Sequence, residues 1–250
     1  MRALRVERDG PLLRVTLARP DVRNAFDAAL IAELTSAFAD VGDARAVLLA
    51  GDGPSFCAGA DVEWMRSSVD LSQDENVADA LRLRAMLDAI DGCPAPVVAS
   101  VHGHALGGGV GLVACSDVVV AQRETQFAFS EVKLGIVPAV ISPFALAKIG
   151  PSAARRYFVT GERFGAETAL RIGLVHEVVD DAGAAVDRIV AELLSAGPGA
   201  ARAAKELARA PRPADETART IAAHRTGAEG QEGLRAFLER REPSWTARRA

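Results

Sequence analysis

Three short segments of this 250-residue chain hold residues whose types and spacing suit chemistry. Phe56-Cys57-Ala58-Gly59-Ala60-Asp61 follows an apolar run, and its small side chains let a ligand approach a backbone whose N–H groups are free to donate. Gly103-His104-Ala105-Leu106-Gly107-Gly108-Gly109-Val110-Gly111 puts three consecutive glycines where an apolar helix opens, so unpaired N–H groups and the positive end of a helix dipole attract negative charge. In Phe129-Ser130-Glu131-Val132-Lys133-Leu134-Gly135-Ile136-Val137-Pro138, a carboxylate lies among Phe127, Phe129 and Val132. Loss of water there raises its pKa toward general acid–base duty. Each segment also has a plainer reading. The first is a strand-to-helix turn capped by Asp61, the second a site of close helix packing, the third a glutamate that caps a helix or pairs with Lys133. A phosphate loop is the other use of the glycines, but the Lys-Ser/Thr ending of a P-loop is missing and G-x-G-x-x-G in a βαβ setting does not fit. Two N–H sources at separate strand ends suit an oxyanion hole for a thioester carbonyl.

The elements that must position these segments follow from hydrophobic spacing. Leu4 and Val6, then Leu13, Val15 and Leu17, alternate with polar residues around Asp9-Gly10, which predicts a hairpin ended by Arg19-Pro20-Asp21. Phe26, Leu30, Ile31, Leu34 and Phe38 recur at helical spacing after Asn24. Residues 46–50 predict a buried strand closed by Gly51-Asp52-Gly53-Pro54. A helix is expected from about Asn76 to Ile90, with Leu81, Leu83, Met86, Leu87 and Ile90 inward and Pro94 and Pro96 stopping it. Residues 96–101 and 117–121 read as further strands on either side of the apolar stretch Val110 to Ala114. Strand, strand, helix units thus recur without a tight repeat. From about Val186 the chain is helical and Ala-rich, punctuated by Pro198, Pro211 and Pro213, with a last amphipathic helix over 230–238. No flexible linker divides it.

Composition narrows the classes. The chain is 49% hydrophobic and 25% charged, enough for one large globular domain or a domain with an appendage. Lys+Arg 29 against Asp+Glu 33 leaves a net charge of -4, which argues against a nucleic-acid partner because phosphate contacts supply most of that affinity. Apolar stretches fall short of the roughly 18 to 20 residues a membrane span needs. The first ten residues carry charges where a signal peptide has its apolar core. Cys57, Cys93 and Cys115 are odd in number and lack metal-ligand spacing. The expectation is a cytoplasmic protein without a metal, with Cys57 and Cys115 inert in apolar surroundings. His102 and His104 are expected to be structural, and His176 and His224 stand outside any motif.

Taken together, the segments resemble the enoyl-CoA hydratase/isomerase (crotonase) superfamily over nearly the whole chain. Pro20 to Phe26 is similar to its first CoA-contacting loop, Phe56 to Met65 to its adenine and oxyanion loop, and Gly103 to Asp117 to its glycine-rich second oxyanion segment. Glu131 to Pro138 is similar to the catalytic-glutamate segment, and Thr160 to Phe164 and Ala169 to Val175 to the later core signature. The resemblance implies an α/β crotonase spiral fold of repeated ββα units with a C-terminal α-helical trimerisation region. It divides the chain into an acyl-CoA-binding core, 1–190, and a helical oligomerisation region, 191–250, in a homotrimer or a dimer of trimers. It implies no cofactor, coenzyme A entering only as part of an acyl-CoA thioester substrate. It makes Glu131 and the backbone N–H groups of Ala60 and Gly108 catalytic, the N–H pair holding the thioester oxygen as enolate charge builds. Ala58, Asp61 and Val62 would line the adenine end of CoA, and Arg23 and Ala25 its pantetheine and phosphate side. Gly107 and Gly111 would also belong to the substrate- or CoA-binding set, and Phe237 and Arg240 would reach a CoA from the last helix, often that of a neighbouring subunit.

One departure from the pattern matters for the reaction. Hydratases of this superfamily usually carry two glutamates that hold the added water, and the first of those positions here is Gly111. Glu131 alone is the arrangement of the Δ3,Δ2-enoyl-CoA isomerases. The space left by Gly111 is expected to admit a water or a small anion. Residues 56–65, 107–115 and 130–143 resemble the methylglutaconyl-CoA and isohexenylglutaconyl-CoA hydratase subgroup, whose branched acyl chains carry a distal carboxylate. Lys133, Arg66 and Arg123 are the cations nearest in sequence to meet such a group. The leading expectation is a 2-enoyl-CoA hydratase, with isomerisation through Glu131 alone or a catalytically weak acyl-CoA-binding homologue as alternatives.

Overall fold

A computed structural model describes residues 3–246 of the chain. In order, the elements are β1 (Leu4–Asp9), β2 (Leu12–Leu17), α1 (Ala28–Ala39), β3 (Ala46–Gly51), α2 (Val62–Ser68), α3 (Gln73–Asp91), β4 (Val97–Val101), β5 (His104–Leu106) and α4 (Gly108–Cys115). They continue as β6 (Val118–Gln122), β7 (Gln126–Ala128), α5 (Ser142–Thr160), β8 (Phe164–Gly165), α6 (Ala166–Arg171) and β9 (Glu177–Val179). Four helices follow: α7 (Ala182–Ser195), α8 (Pro198–Arg209), α9 (Ala214–Thr226) and α10 (Ala228–Glu239).

The alternating N-terminal residues form the expected hairpin, with Leu4 opposite Leu17 and Asp9 opposite Leu12 across a turn whose Gly10 has φ 54°. Its second strand starts a parallel run, so that six strands line up as β1-β2-β3-β4-β6-β9 with only β1–β2 antiparallel. Strands β3, β4 and β6 read as unbroken apolar runs because both their faces are covered. Val47, Leu49, Val97, Ala99, Val101, Val119 and Ala121 face the main core with α1, α3 and α4. Leu48, Val98 and Val120 face the other way, onto Val186, Ile189 and Val190 of α7. A second, three-stranded sheet, β5-β7-β8, has no counterpart in the sequence expectations, since its strands are only two or three residues long.

Two expectations for α3 are corrected. The helix begins at Gln73 rather than near Asn76, because Ser72 and Glu75 form a reciprocal capping box. Met86, Leu87 and Ile90 are buried and Leu83 packs on the core, but Leu81 is 63% exposed. Positions 83, 86, 87 and 90 share one helical face, and 81 lies two residues, about 200°, away from it. Buried basic side chains hold α8 to the core. The Lys205 ammonium pairs with Asp117 at 2.7 Å, and Arg202 donates to the carbonyl of Ala44. No helix among the described residues is long and apolar enough to cross a membrane. Cys57, Cys93 and Cys115 are buried free thiols, and burial pushes the Cys57 thiol up to about 12.

Candidate active site

The site begins with a clamp between two loops. Arg23 and Asn24 both take left-handed backbone, φ 54° and 55°, which turns the fully buried Asn24 amide inward. Its Nδ2 donates to the carbonyls of Asp52 and Ser55, each at 2.8 Å, and its Oδ1 accepts from the Arg19 N–H at 2.8 Å. The chain after β3 is thereby fixed against the chain before α1. Phe26 then donates to the Gly59 carbonyl at 2.7 Å, and the Asp61 N–H donates to the Phe26 carbonyl at 2.8 Å. Ala60 lies between these two bonds, and its own N–H has no protein acceptor among the described residues. Gly59 has φ 93°, and a Cβ there would meet the Leu106 carbonyl oxygen at 2.8 Å, so no other residue fits this approach.

The second N–H source lines the same cavity as Ala60. Gly107 hangs from β7, its N–H donating to the Ala128 carbonyl at 2.8 Å, and α4 opens at Gly108. As the first residue of that helix, Gly108 has no intrahelical acceptor, and no other described group takes its N–H. A Cβ at Gly108 would sit 2.4 Å from Cε2 of Phe26, and one at Gly109 2.4 Å from the Cys57 carbonyl oxygen. The tight-packing reading and the open-donor reading of the glycine cluster are therefore both satisfied: close approach of Phe26 and Cys57 excludes side chains and leaves the helix N-terminus bare.

Glu131 completes the set. It sits in a 3-10 turn, Ser130–Leu134, closed by Gly135 in left-handed backbone. Beneath it, the Phe129 ring packs edge-on to Phe158 at 4.7 Å, and Phe164 lies against Phe127 and Phe129, which holds the turn. The Glu131 Oε2 is buried without a hydrogen-bond partner among the described residues. Burial pushes its carboxyl pKa above the ordinary glutamate value. Lys133 is exposed, and among the described residues it forms no ion pair with Glu131, so the plainer reading of Glu131 as an ion-pair partner finds no support.

Ala58, Ala60, Gly107, Gly108 and Glu131 line one cavity of about 330 Å³. Trp64, Met65 and Leu83 from α2 and α3, with Leu134 and residues 136–141, supply its apolar walls. Two unpaired backbone donors and one desolvated carboxylate facing an apolar space can polarise a carbonyl and move a proton next to it.

The space expected at Gly111 is not there. A Cβ on that buried glycine would stand 2.7 Å from Ile141 Cγ2 and 3.4 Å from Leu87 Cδ2, and Gly111 does not line the cavity. Ile141, 2% exposed, occupies the space beside Gly111 with hydrocarbon. Sequence reasoning missed Ile141, which stands just before α5, because its partner lies 30 residues away in α4.

The remaining candidates fall around the cavity. Asp61 caps α2 through the Glu63 N–H at 2.8 Å and accepts from Arg19, whose guanidinium also pairs with Asp27. Ala25 is buried, its carbonyl accepting from Arg19, while Arg23 and Val62 are exposed. Phe237 is 81% exposed on α10, and Arg240 ends that helix in left-handed backbone; neither lines the cavity. His104 stands 3.2 Å from the Ser55 hydroxyl, and burial beside Arg163 and Arg23 lowers its pKa, which keeps it neutral. His102 hydrogen-bonds the Gly53 carbonyl, and His176 Nδ1 accepts from the Val119 N–H.

The family model described as Enoyl-CoA hydratase/isomerase matches residues 7–248. A Rhodobacter capsulatus protein named "Probable enoyl-CoA hydratase" is 36% identical, the match covering 98% of each chain. The carnitinyl-CoA dehydratase of Salmonella agona is 32% identical over 98% of this chain and 99% of its own. Among solved structures, an enoyl-CoA hydratase from Shewanella pealeana superposes with a TM-score of 0.92 at 38% identity, covering 97% of this chain and 96% of that one.

Proposed function

The chain belongs to the enoyl-CoA hydratase/isomerase family, and on that premise we propose that it adds water across a 2-enoyl-CoA thioester, or removes it, with Glu131 as its single acid–base group. The observation that carries this reading is the meeting of the free Ala60 and Gly108 N–H groups with the unpartnered Glu131 carboxylate in one cavity. The thioester oxygen takes the two N–H donors. Glu131 removes a proton from water as the water oxygen bonds to C3, and the displaced electron pair moves to the thioester oxygen as an enolate. The enolate collapses by taking at C2 the proton that Glu131 now holds, so one water is added and the carboxylate is restored. Each fixed donor contributes about 10²–10³ in rate, because its stabilisation grows with the oxyanion charge. Position 111 offers no second carboxylate to hold the water, so the nucleophile is ordered by Glu131 and the enclosing walls.

Isomerisation is a second reading, favoured by the packing of Ile141 over Gly111. There Glu131 takes a proton from C2 of a 3-enoyl thioester and returns it at C4. For the branched, carboxylate-tailed substrate expected from the finer resemblance, no described cation lines the cavity. Arg66 pairs with Glu63, Arg123 with Glu167 and Asp180, and Lys133 is exposed; none of the three lines the cavity. Leu234, Phe237 and Leu238 form an exposed apolar strip on α10 that suits burial against a neighbouring copy in a homotrimer or dimer of trimers.

Mass spectrometry of unbranched 2-enoyl-CoA and 3-enoyl-CoA thioesters incubated with the protein tests the reading. A gain of one water, lost by about 10²-fold or more in Glu131→Gln, is the expected result. A rise in conjugated-thioester absorbance at unchanged mass would replace hydration by isomerisation. Full turnover by Glu131→Gln would remove Glu131 from the chemistry.

A further inference from the structure

The cavity carries charge of one sign. Its only ionisable lining side chains among the described residues are Glu131 and Asp79, both acidic. Glu131 belongs to the reacting end, with the two oxyanion donors. Asp79 enters from α3, in the wall built by α2 and α3 with Trp64, Ser68 and Asn76. Its side chain is only 14% exposed, and its one ionic partner is Arg82, a 62% exposed guanidinium held at 2.9 Å by Oδ1. Oδ2 has no protein partner among the described residues. An ion pair with so exposed a cation is largely screened and leaves much of the carboxylate's field inside the cavity.

From this wall we infer the chemistry of the acyl tail, an inference that rests on the thioester reading above: the tail ends in a hydrogen-bond donor or a cation, not in a carboxylate, and Asp79 sets that preference. A carboxylate tail would lose water beside Asp79, and the one cation next to that residue among the described residues, Arg82, is already paired with it. A hydroxyl or ammonium finds acceptors in Asp79 and in the side-chain oxygens of Asn76 and Ser68, and a cation gains further from the Trp64 indole in the same wall. Asp79 is thus a specificity-determining residue, separate from the proton transfer at Glu131.

The test needs no turnover. Dissociation constants are measured by calorimetry for saturated acyl-CoA thioesters matched in length, in five- and six-carbon series: alkyl, ω-hydroxy, ω-amino and ω-carboxylate. The wild-type protein is expected to bind the ω-amino and ω-hydroxy thioesters most tightly and the ω-carboxylate most weakly, about tenfold below the alkyl thioester. Asp79→Asn, checked for an unchanged melting temperature, is expected to compress that carboxylate penalty to within about twofold. Arg82→Gln removes the screening cation and is expected to widen it. A wild-type order without a carboxylate penalty, or a penalty unmoved in both variants, overturns the inference. If the tail order holds while no thioester gains water or shifts its double bond, the proposed reaction fails and the tail assignment stands. Turnover with a flat order overturns the tail assignment and leaves the reaction standing.

Discussion

The packing of Ile141 against Gly111 can be measured through a double-mutant cycle. In Gly111→Ala, the new Cβ lies 2.7 Å from Ile141 Cγ2, roughly 1 Å inside the ordinary carbon–carbon contact of about 3.5–4.0 Å. Ile141 is 2% exposed and has no room to swing into water, so the overpacking costs about 1–3 kcal/mol. Alanine in place of glycine inside α4 returns about 1 kcal/mol of helix propensity. The single variant is therefore expected to lose roughly 0–2 kcal/mol. Ile141→Ala leaves a cavity and loses about 2–5 kcal/mol. In the double variant the clash disappears and the methyl group at 111 occupies part of the vacated space. It is expected to be about 1 kcal/mol more stable than Ile141→Ala alone, a coupling of about 1–3 kcal/mol. Urea denaturation of the four proteins at one fixed concentration reads the cycle. Additivity within about 0.5 kcal/mol would mean that position 111 opens onto empty space, and the claim that hydrocarbon occupies the space beside Gly111 would fall.

Three further predictions concern the same site. On the proposed mechanism Glu131 must be ionised to accept a proton from water, and burial raises its pKa, so the acid limb of kcat/KM is expected above the ordinary glutamate range in a pH–rate profile. The same shift has a stability sign. A carboxyl whose folded pKa exceeds its unfolded value favours the fold most below the unfolded pKa, and loses that contribution as pH rises through the folded pKa. Glu131→Gln is accordingly expected to melt higher at neutral pH, by an equivalent of about 1 kcal/mol, while turnover is lost; a lower melting temperature would contradict the orphaned Oε2. Asn24→Ala strips partners from two buried carbonyls and one N–H, and is expected to cost about 3 kcal/mol in denaturant titration and to lower kcat/KM. A loss under 1 kcal/mol would mean water replaces the amide.

Much of this site is local in sequence, which is why it is legible there. The glycines at 59, 107 and 108 and the glutamate at 131 lie in short segments whose composition already restricts what the backbone can do. The central strands declare themselves as apolar runs because both faces are covered. Features that depend on distant partners do not show. Ile141 over Gly111, the Arg19–Asp27–Asp61 network and Asp79 in the cavity wall join residues brought together only by the fold. The α3 start is a different case: Ser72-Gln73-Asp74-Glu75 is a capping-box sequence, and its local signal competes with hydrophobic spacing that begins later. Leu81 looks inward only if every leucine of the helix is counted as core, although its angular position sets it apart.

The solitary Glu131 carboxyl, with one oxygen sealed away from water, has a consequence for the identity of the hydrogen that is transferred. On the proposed chemistry a single carboxyl receives and returns the hydrogen, and among the described residues its Oε2 has no hydrogen-bonded partner to pass it on. How much isotopic label survives a catalytic cycle then depends on a race between carbon protonation and escape of that hydrogen past the apolar walls. If Glu131 shuttles the hydrogen between carbons as in the isomerisation reading, the burial of its Oε2 is expected to let part of a substrate label survive into the product.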